Sequence, residues 1–372
     1  MRRGKQCSSW ACAGLCALVL AFTGCESSDT KAPQAKTPPA KQPELGAPAL
    51  KKPAVAIDLP EEYNTPDGMT VDRDKNIILS CPNSNDEKHP AKMLRISPND
   101  EVSEIISLPV HPDTKKAGPL GVDIGQDGNL YIADNQSFTT PEHKSRLLRV
   151  VMENGKAQKC EVLVLGLIMA NAIACHGGSV YVTESKLDTT TSPMPSGVYR
   201  FTYEELNPEK PIQLEPGGKD KHLILKIETK NMDWVGANGM AFDAKGNLFV
   251  CNFGDAKLHK FTFDKDGKIA SGEVFAQGPG MKSCDGMCID PRNGDIYVAD
   301  FLGNAVQRID PISGKVTTIA QNGDTDGADG SLDRPSEVRV RGNLLYVSNI
   351  DLPLAGNTYD KPHTISVIKL DE

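Results

Sequence analysis

The stretch Ala237–Asn252 decides the fold, because it carries a unit that recurs along the chain. It reads Ala-Asn-Gly-Met-Ala-Phe-Asp-Ala-Lys-Gly-Asn-Leu-Phe-Val-Cys-Asn. The pattern predicts a β-hairpin: one strand opens on Asn238-Gly239, a tight Asp-x-x-Gly-Asn turn follows, and a second strand alternates in character. Gly246 supplies the positive φ that such a turn needs, and Asp243 can accept hydrogen bonds from the turn backbone.

The same hairpin recurs at a spacing of roughly fifty residues, which is typical of a radial repeat. The other copies open at Pro66-Asp67-Gly68, Pro119-Leu120-Gly121, Ala170-Asn171-Ala172, Cys284-Asp285-Gly286 and Pro335-Ser336-Glu337. Six copies predict an all-β fold, a six-bladed β-propeller with four strands in each blade. We expect the strand Ala54–Leu59 to pair with the last blade, which would close the ring and remove its exposed edges.

The residues before the repeats form two segments. Residues 1–24 join a basic start to an apolar run that is too short for a comfortable membrane span, which predicts a signal peptide. Residues 20–25, Leu-Ala-Phe-Thr-Gly-Cys, are similar to a bacterial lipobox and predict lipidation of Cys25, with ordinary secretion as the alternative. Residues 25–53 are rich in Pro, Lys and Ala and predict a disordered tether. We therefore expect an exported bacterial lipoprotein of the cell envelope, whose propeller, residues 54–372, is held at a membrane by the lipid anchor alone.

Charge and cysteine content narrow the classes of function. The formal net charge is −8, and no basic run occurs in residues 54–372, which argues against nucleic acid as a partner. The cysteines that follow Cys25 lack Cys-x-x-Cys spacing, so we expect packed thiols rather than a zinc cluster. Export would permit disulfides, but the sequence does not give their pairing.

The second residue of each repeat should stand at one height around the central channel, because the repeats share a register. These residues are Asp67, Leu120, Asn171, Asn238, Asp285 and Ser336. Four of them offer carboxylate or amide oxygens, the ligands of a hard cation. We therefore predict a divalent-cation site at one channel mouth, formed by Asp67, Asn171, Asn238 and Asp285, with calcium expected and magnesium or zinc left open. The competing explanation is that Asn-Gly and Asp-Gly are ordinary turn formers and that propeller repeats often begin in this way.

The second strand of each hairpin returns to the same mouth, so the residues at its end are candidates for the pocket wall. Glu184, Asn252 and Asp300 are the candidates there, although strand-end residues more often bond to nearby backbone. Three long loops, residues 82–92, 135–145 and 185–197, follow such strands and are predicted to overhang the site. Long loops on one face of a rigid scaffold usually carry specificity.

Two repeats resemble the motifs of a known family. Residues 237–242, Ala-Asn-Gly-Met-Ala-Phe, and 284–290, Cys-Asp-Gly-Met-Cys-Ile-Asp, are similar to the P-N-G-L-A-F and P-D-G-M-x-x-D motifs of the regucalcin/gluconolactonase (senescence marker protein) family. Members of that family are six-bladed propellers that hold a divalent cation at the channel mouth and hydrolyse lactones. Diisopropylfluorophosphatase and paraoxonase are relatives of similar architecture.

The resemblance implies roles for individual residues. Asn238 and Asp285 match the family's asparagine and aspartate ligands, and Asp285 is also the favoured general base. Asn171 falls where a further asparagine ligand belongs, without the surrounding Arg-x-Asn-Asp-Gly phrase, and Asp67 stands where the family has a glutamate. These departures leave the substrate open.

The implied function is metal-dependent hydrolysis of a lactone or related ester, in which Asp285 either activates a water or attacks directly. One alternative is a membrane-tethered, non-catalytic propeller that binds a ligand or protein and holds a structural metal or none. Another is a degenerate propeller that resembles the strictosidine synthase-like group and lacks a competent metal. Ligand access discriminates between them, because an enzyme needs an open coordination position that faces the pocket.

Overall fold

The computed structural model describes residues 49–86 and 88–371, which form a six-bladed β-propeller without helices. The predicted signal peptide, Cys25 and most of the predicted tether lie outside the described residues. Lys51, near the end of that tether, donates its backbone N–H to the Ile319 carbonyl at 2.7 Å. Its Nζ lies 2.7 Å from the Asp371 carboxylate. Within the described ranges, no helix long and apolar enough to cross a membrane occurs.

Six sheets of antiparallel strands follow one another along the chain, one for each blade. The first strand, β1 (Ala54–Leu59), belongs to the last blade. Blade 1 comprises β2 (Met69–Val71), β3 (Ile77–Cys81), β4 (Lys92–Ile96) and β5 (Val102–Ser107). Blade 2 comprises β6 (Pro119–Ile124), β7 (Leu130–Asp134), β8 (Ser145–Glu153) and β9 (Lys156–Leu167).

Blade 3 comprises β10 (Ala170–His176), β11 (Ser179–Glu184), β12 (Met194–Thr202) and β14 (Leu223–Thr229), while the short β13 (Ile212–Gln213) pairs in parallel with β9. Blade 4 comprises β15 (Ala237–Phe242), β16 (Leu248–Asn252), β17 (Lys257–Phe263) and β18 (Ile269–Gln277). Blade 5 comprises β19 (Met287–Ile289), β20 (Ile296–Asp300), β21 (Ala305–Ile309) and β22 (Val316–Gln321). Blade 6 comprises β23 (Pro335–Arg341), β24 (Leu344–Asn349), β25 (His363–Lys369) and β1.

The hairpin predicted at residues 237–252 is confirmed as β15 and β16. Gly246 has a φ of 79°, as the tight turn requires. One oxygen of the Asp243 carboxylate accepts the backbone N–H groups of Lys245 at 2.9 Å and Asn247 at 2.8 Å. The local sequence therefore sets this turn through one flexible glycine and one short acceptor side chain.

The predicted closure of the ring is also confirmed. β1 is the outer strand of blade 6 and pairs antiparallel with β25, so that Leu59 stands opposite His363. Ile57 and Leu59 are buried, and they pack with Ile365 against residues of blade 1. Each buried side chain of this size contributes about 1.5–3 kcal/mol, and pairing the two ends of the chain removes an exposed sheet edge.

In blades 1, 2, 4 and 5 the second position of the repeat is followed by a glycine, which allows close approach of the inner strands. A Cβ on Gly239 would lie 2.3 Å from the Asp285 carbonyl oxygen, and one on Gly286 would lie 2.4 Å from that of Ser336. Neither glycine has a positive φ. Their N–H groups donate to the same two carbonyls, at 3.2 Å and 2.8 Å. Asn238-Gly239 opens β15 rather than forming a turn, and both dipeptides are where neighbouring inner strands touch around the channel.

The cysteines that follow Cys25 all lie in the described part of the chain and all carry free thiols. Cys81, Cys251, Cys284 and Cys288 are buried among apolar side chains. Burial raises the pKa of Cys288 to about 12, so this group stays a neutral thiol at ordinary pH. The prediction of packed thiols is confirmed.

Candidate active site

The second-position residues of all six repeats line one cavity of about 120 Å³ at a mouth of the central channel. They are Asp67, Leu120, Asn171, Asn238, Asp285 and Ser336. The structure thus brings the four predicted ligands together from blades 1, 3, 4 and 5. Asn238 is buried, whereas Asp67, Asn171 and Asp285 remain partly exposed to the cavity. A ligand entering the cavity can therefore reach two carboxylates and an amide.

The two carboxyl groups are held in a poorly solvated place without a compensating charge. Burial raises the pKa of Asp67 to about 6, and a hydrogen bond from Ser336 opposes the shift. Burial also raises the pKa of Asp285 well above its ordinary value, with the nearby Asp67 and Glu337 carboxylates adding to the effect and an Asn238 hydrogen bond opposing it. Among the described residues that line the cavity there is no Lys, Arg or His.

The donor set fits a divalent cation. It consists of two carboxylates, two amides and a hydroxyl, and oxygen-only sets of this kind suit calcium better than zinc, which prefers nitrogen and sulfur. A bound cation would also supply the positive charge that neither carboxylate receives from the protein. These residues could therefore hold such an ion.

Glu337 is a neighbouring acid that was not predicted as a site residue. It lies beneath the cavity, and its Oε1 accepts the backbone N–H of Val338 at 2.9 Å. Burial raises the pKa of Glu337 to about 7, while the charge of Arg339 opposes the shift. The sequence did contain a signal, since Glu337 occupies the repeat position that holds glycine or alanine in the other blades.

Arg339 lies below Glu337 and closes the bottom of the candidate site. Its guanidinium lies 3.6 Å from the Glu337 carboxylate, and its Nη1 donates to the Met287 carbonyl of blade 5 at 3.0 Å. Its Nε donates to the Met69 carbonyl of blade 1 at 2.5 Å. Arg339 also lines a second cavity, with Asp123 and other residues further along the inner strands. The side chain thus separates the candidate site from the other end of the channel.

The wall of the cavity on the side of blades 4 to 6 is apolar. Phe253, Phe301 and Ile350 form one buried cluster there, against which Trp234 and Leu352 pack. The ring centroids of Phe253 and Phe301 are 6.0 Å apart. All five residues also line the cavity. The sequence did not predict this wall, because its apolar residues follow the strand ends without the repeated register that marks the oxygen donors.

The predicted pocket-wall residues Glu184, Asn252 and Asp300 are not among the residues that line the cavity, which corrects that expectation. Phe253 and Phe301 follow Asn252 and Asp300 directly in the sequence. Asn252 and Asp300 are the last residues of β16 and β20, whereas Phe253 and Phe301 begin the turns that follow, where the chain leaves the sheet and these rings line the cavity.

The three polar residues bond to the backbone behind the wall instead. Glu184 accepts the N–H groups of Ile168 at 2.7 Å and Met169 at 2.6 Å. The Asn252 amide donates to the Glu228 carbonyl at 3.0 Å. Asp300 accepts the N–H groups of Lys282 at 2.9 Å and Ser283 at 2.7 Å. These side chains satisfy loop N–H groups that would otherwise be buried without partners.

The predicted long loops contribute little to this cavity. Phe138, in the loop 135–145, is the one residue from those three loops among the described residues that line it. Phe138 is 54% exposed, so it stands at the rim rather than in the wall. The loop after β24 contributes more, through Ile350, Leu352 and Leu354. Most of the apolar residues that line the cavity therefore come from blades 4 to 6 and the loops beside them.

The fold and the site define the class, a six-bladed β-propeller whose channel mouth holds a cavity with oxygen donors on its floor and an apolar wall. Residues 176–323 match the family model described as the SMP-30/Gluconolactonase/LRE-like region. The chain is thus gluconolactonase-like over that region, and the resemblance seen in its two motifs is confirmed. The matched region contains Asn238 and Asp285, but neither Asp67 nor Asn171.

Solved structures share this architecture at low sequence identity. A gluconolactonase from Xanthomonas campestris is 15% identical with a TM-score of 0.54, covering 87% of this chain and 97% of that one. A luciferin-regenerating enzyme is 14% identical with a TM-score of 0.55, covering 86% and 98%. A PQQ-bound aldose sugar dehydrogenase from Streptomyces coelicolor is 15% identical with a TM-score of 0.54, covering 87% and 99%. Such likeness shows the fold alone, and the fold carries different chemistries. No curated protein matches the sequence.

Proposed function

We propose that the chain is a metal-dependent hydrolase of the gluconolactonase type, which opens a lactone or a related ester at the channel mouth. The observation that carries this proposal is the convergence of two carboxylates and two amides from four blades on one cavity. The residues that would hold the cation, calcium in preference to magnesium or zinc, are Asp67, Asn171, Asn238 and Asp285. When bound, such a cation polarises a substrate carbonyl and stabilises negative charge on its oxygen.

Asp285 is proposed as the general base. Its carboxylate would take a proton from a water, whose oxygen then attacks the carbonyl carbon. The ring C–O bond breaks, and the proton passes to the leaving oxygen. Asn238 would orient the carboxylate through the hydrogen bond between them. In the alternative route, Asp285 attacks the carbonyl carbon directly and carries the acyl group until water removes it.

The apolar wall favours a substrate with an alkyl or aryl substituent beside its carbonyl group. Phe253, Phe301 and Ile350 offer a contact surface without hydrogen-bonding side chains, whereas the sugar hydroxyls of an aldonolactone would need polar partners. The oxygen donors occupy the floor of the same cavity. We therefore propose that the ester group reaches the floor while its apolar substituent lies against the wall.

The N-terminal sequence supports an exported lipoprotein anchored through Cys25. In this proposal the propeller acts in the cell envelope on a small lactone or ester. Membrane contact would come through the lipid alone, and the acidic composition disfavours nucleic acid as a partner.

Asp285→Asn tests the catalytic role, with Asp243→Asn as the matched control. Both substitutions exchange a carboxylate for an amide, but Asp243 lies in the turn at the other end of the blade 4 hairpin. The metal-stripped, full-length protein would be assayed with calcium restored, using alkyl- and aryl-substituted lactones and esters. Loss of a general base lowers kcat by about 10²–10⁴-fold, so we expect that fall for Asp285→Asn and near-normal turnover for the control.

Unchanged turnover in Asp285→Asn would refute the role of that residue. A wild-type protein that binds calcium but hydrolyses none of these substrates would refute the hydrolase and favour the tethered binding propeller. Calorimetry of calcium binding by wild type and Asn238→Ala separates these results, because it reports the cation site without reference to turnover.

A further inference from the structure

A second cluster of acids lies in blade 6, outside the residues that line the substrate cavity. Asp333 precedes β23, Asp351 follows β24, and Asp360 precedes β25. Carboxylate oxygens of all three lie within 4.8 Å of one another. Three separate segments of blade 6 therefore bring their carboxylates close together.

Two of these carboxylates have oxygens without hydrogen-bond partners. Asp333 is 2% exposed, and its Oδ1 is buried with no partner among the described residues. Oδ1 of Asp360 is likewise buried and without a described partner. Asp351 is better satisfied, because its two oxygens accept from the Asn357 amide at 2.7 Å and from the Asp360 backbone N–H at 3.0 Å. Burial of a charged oxygen without a partner is costly, so the unsatisfied oxygen of Asp333 favours the binding of a cation at this point.

The surrounding charges increase the repulsion. Burial raises the pKa of Asp360, and the nearby carboxylates of Asp326 and Asp324 add to the effect. Burial, followed by the charge of Asp351, raises the pKa of Asp333 to about 8. In the described part of the chain none of the three acids forms a salt bridge with a basic side chain.

Arg334 is the basic residue that acts on Asp333, but its guanidinium is directed elsewhere. Nε donates to the Asn357 side-chain oxygen at 3.1 Å, Nη1 to the Phe301 carbonyl at 3.0 Å and Nη2 to the Ala355 carbonyl at 2.9 Å. The protein thus places an arginine beside the acids without pairing it with them.

We propose that Asp333, Asp351 and Asp360 bind a second divalent cation, calcium, in blade 6. Their oxygens are close enough to share one ion at metal–oxygen distances of about 2.3–2.6 Å, with water or backbone carbonyls completing the coordination. A set of three carboxylates without His or Cys suits calcium better than zinc. The burial of two of the three acids leaves little space for the several waters that magnesium usually keeps.

The ion would fix the apolar wall of the substrate cavity. Asp351 lies between Ile350 and Leu352, both of which line that cavity. Asp351 follows β24 with a φ of 50°, and an ion held by Asp351 would link the loop that carries Ile350 and Leu352 to Asp333, just before β23. The site does not depend on the hydrolase proposal, because it would stabilise the wall whatever the cavity binds.

Calcium binding and thermal unfolding of the full-length protein test this site. Metal-stripped wild type, Asp360→Asn and Asp333→Asn would be titrated with calcium and heated with and without it, and Asp329→Asn serves as control. Asp329 is an exposed acid of the same loop that lies 3.5 Å from Lys52. For a chain of this size, calcium at a hundredfold excess over its Kd raises the Tm by about 4 °C per site.

We expect wild type and Asp329→Asn to bind one calcium more than Asp360→Asn and Asp333→Asn. Without calcium the two cluster variants should be as stable as wild type or more so, since they remove repulsion, whereas with calcium they should be less stable than wild type. Asn238→Ala should keep the blade 6 binding event, which separates this site from the channel mouth. Equal calcium stoichiometry in wild type and both cluster variants would overturn the proposal. A higher Tm for both variants than for wild type in the presence of calcium would also overturn it, because protons shared among the acids, and not calcium, would then neutralise the cluster.

Discussion

Gly239→Ala tests the contact between inner strands on which the geometry of the candidate site depends. The new Cβ would lie 2.3 Å from the Asp285 carbonyl oxygen and 2.8 Å from the Gly286 Cα. Heavy atoms in contact prefer about 3.5–4.0 Å, so blades 4 and 5 would have to separate by about 1 Å. Overpacking of this kind costs about 1–3 kcal/mol, and the upper end applies because both obstructing groups are backbone in a closed ring. Loss of the hydrogen bond from Gly239 to Asp285 adds about 1 kcal/mol.

We therefore expect Gly239→Ala to lower the free energy of unfolding by about 3–4 kcal/mol and the Tm by roughly 5 °C. Urea unfolding of the full-length protein measures the first quantity, and thermal unfolding measures the second. Gly323→Ala is the control, since a Cβ there meets no atom within 4 Å and the φ is not positive. Because Asp285 moves with its carbonyl, calcium affinity at the channel mouth should fall as well. If the two variants unfold within about 0.5 kcal/mol of each other, the inner strands do not touch at this position.

Two further predictions concern the wall and the pH dependence of stability. Phe253→Ala should raise KM for alkyl- or aryl-substituted lactones by about tenfold or more while kcat changes little, because a buried apolar contact of this size is worth about 1–3 kcal/mol. An equal rise in KM for unsubstituted lactones would contradict this prediction. Burial, followed by the charge of Lys257, lowers the pKa of His259 to about 4. The unfolded chain thus binds this proton below about pH 6.5, and the folded chain binds it only below about pH 4. The folded state therefore loses stability as the pH falls from about 6.5 to about 4. The loss is at most about 3 kcal/mol, and it is smaller for a partly exposed ring. Urea unfolding at pH 7 and pH 4.5 should show a smaller difference for His259→Gln than for wild type, and identical differences would show that His259 does not carry the effect.

The repeat made much of the fold predictable. A tight turn such as that around Gly246 depends on a few adjacent residues, and strand alternation has a period of two, so both are visible in the sequence. Recurrence of the unit then set the number of blades, and the common register placed Asp67 and Asp285 at one height. For the same reason the ring closure by residues 54–59 could be predicted before the structure was seen.

The pocket wall was harder to predict, because its residues lie just beyond the ends of the strands, where the alternation of side chains no longer applies. Asn252 and Asp300 were predicted for the pocket wall because they are polar, yet Phe253 and Phe301 face the cavity. The sequence alone does not say where an extended segment leaves its strand and which of two neighbouring side chains points inward. Glu337 was not predicted for a different reason, since it occupies the position of a glycine in four other blades, and the role of that glycine in strand contact appears only in three dimensions.

The sequence by itself determined the architecture, six hairpins in a closed ring, and the set of oxygen donors that shares one register position. Both follow from short-range patterns that repeat along the chain. Only the tertiary structure decided which groups meet across segments: the apolar wall of blades 4 to 6, Arg339 across the channel, and the acids Asp333, Asp351 and Asp360. These contacts depend on how loops of different length return to the same end of a blade, and no local pattern of the sequence encodes that distance.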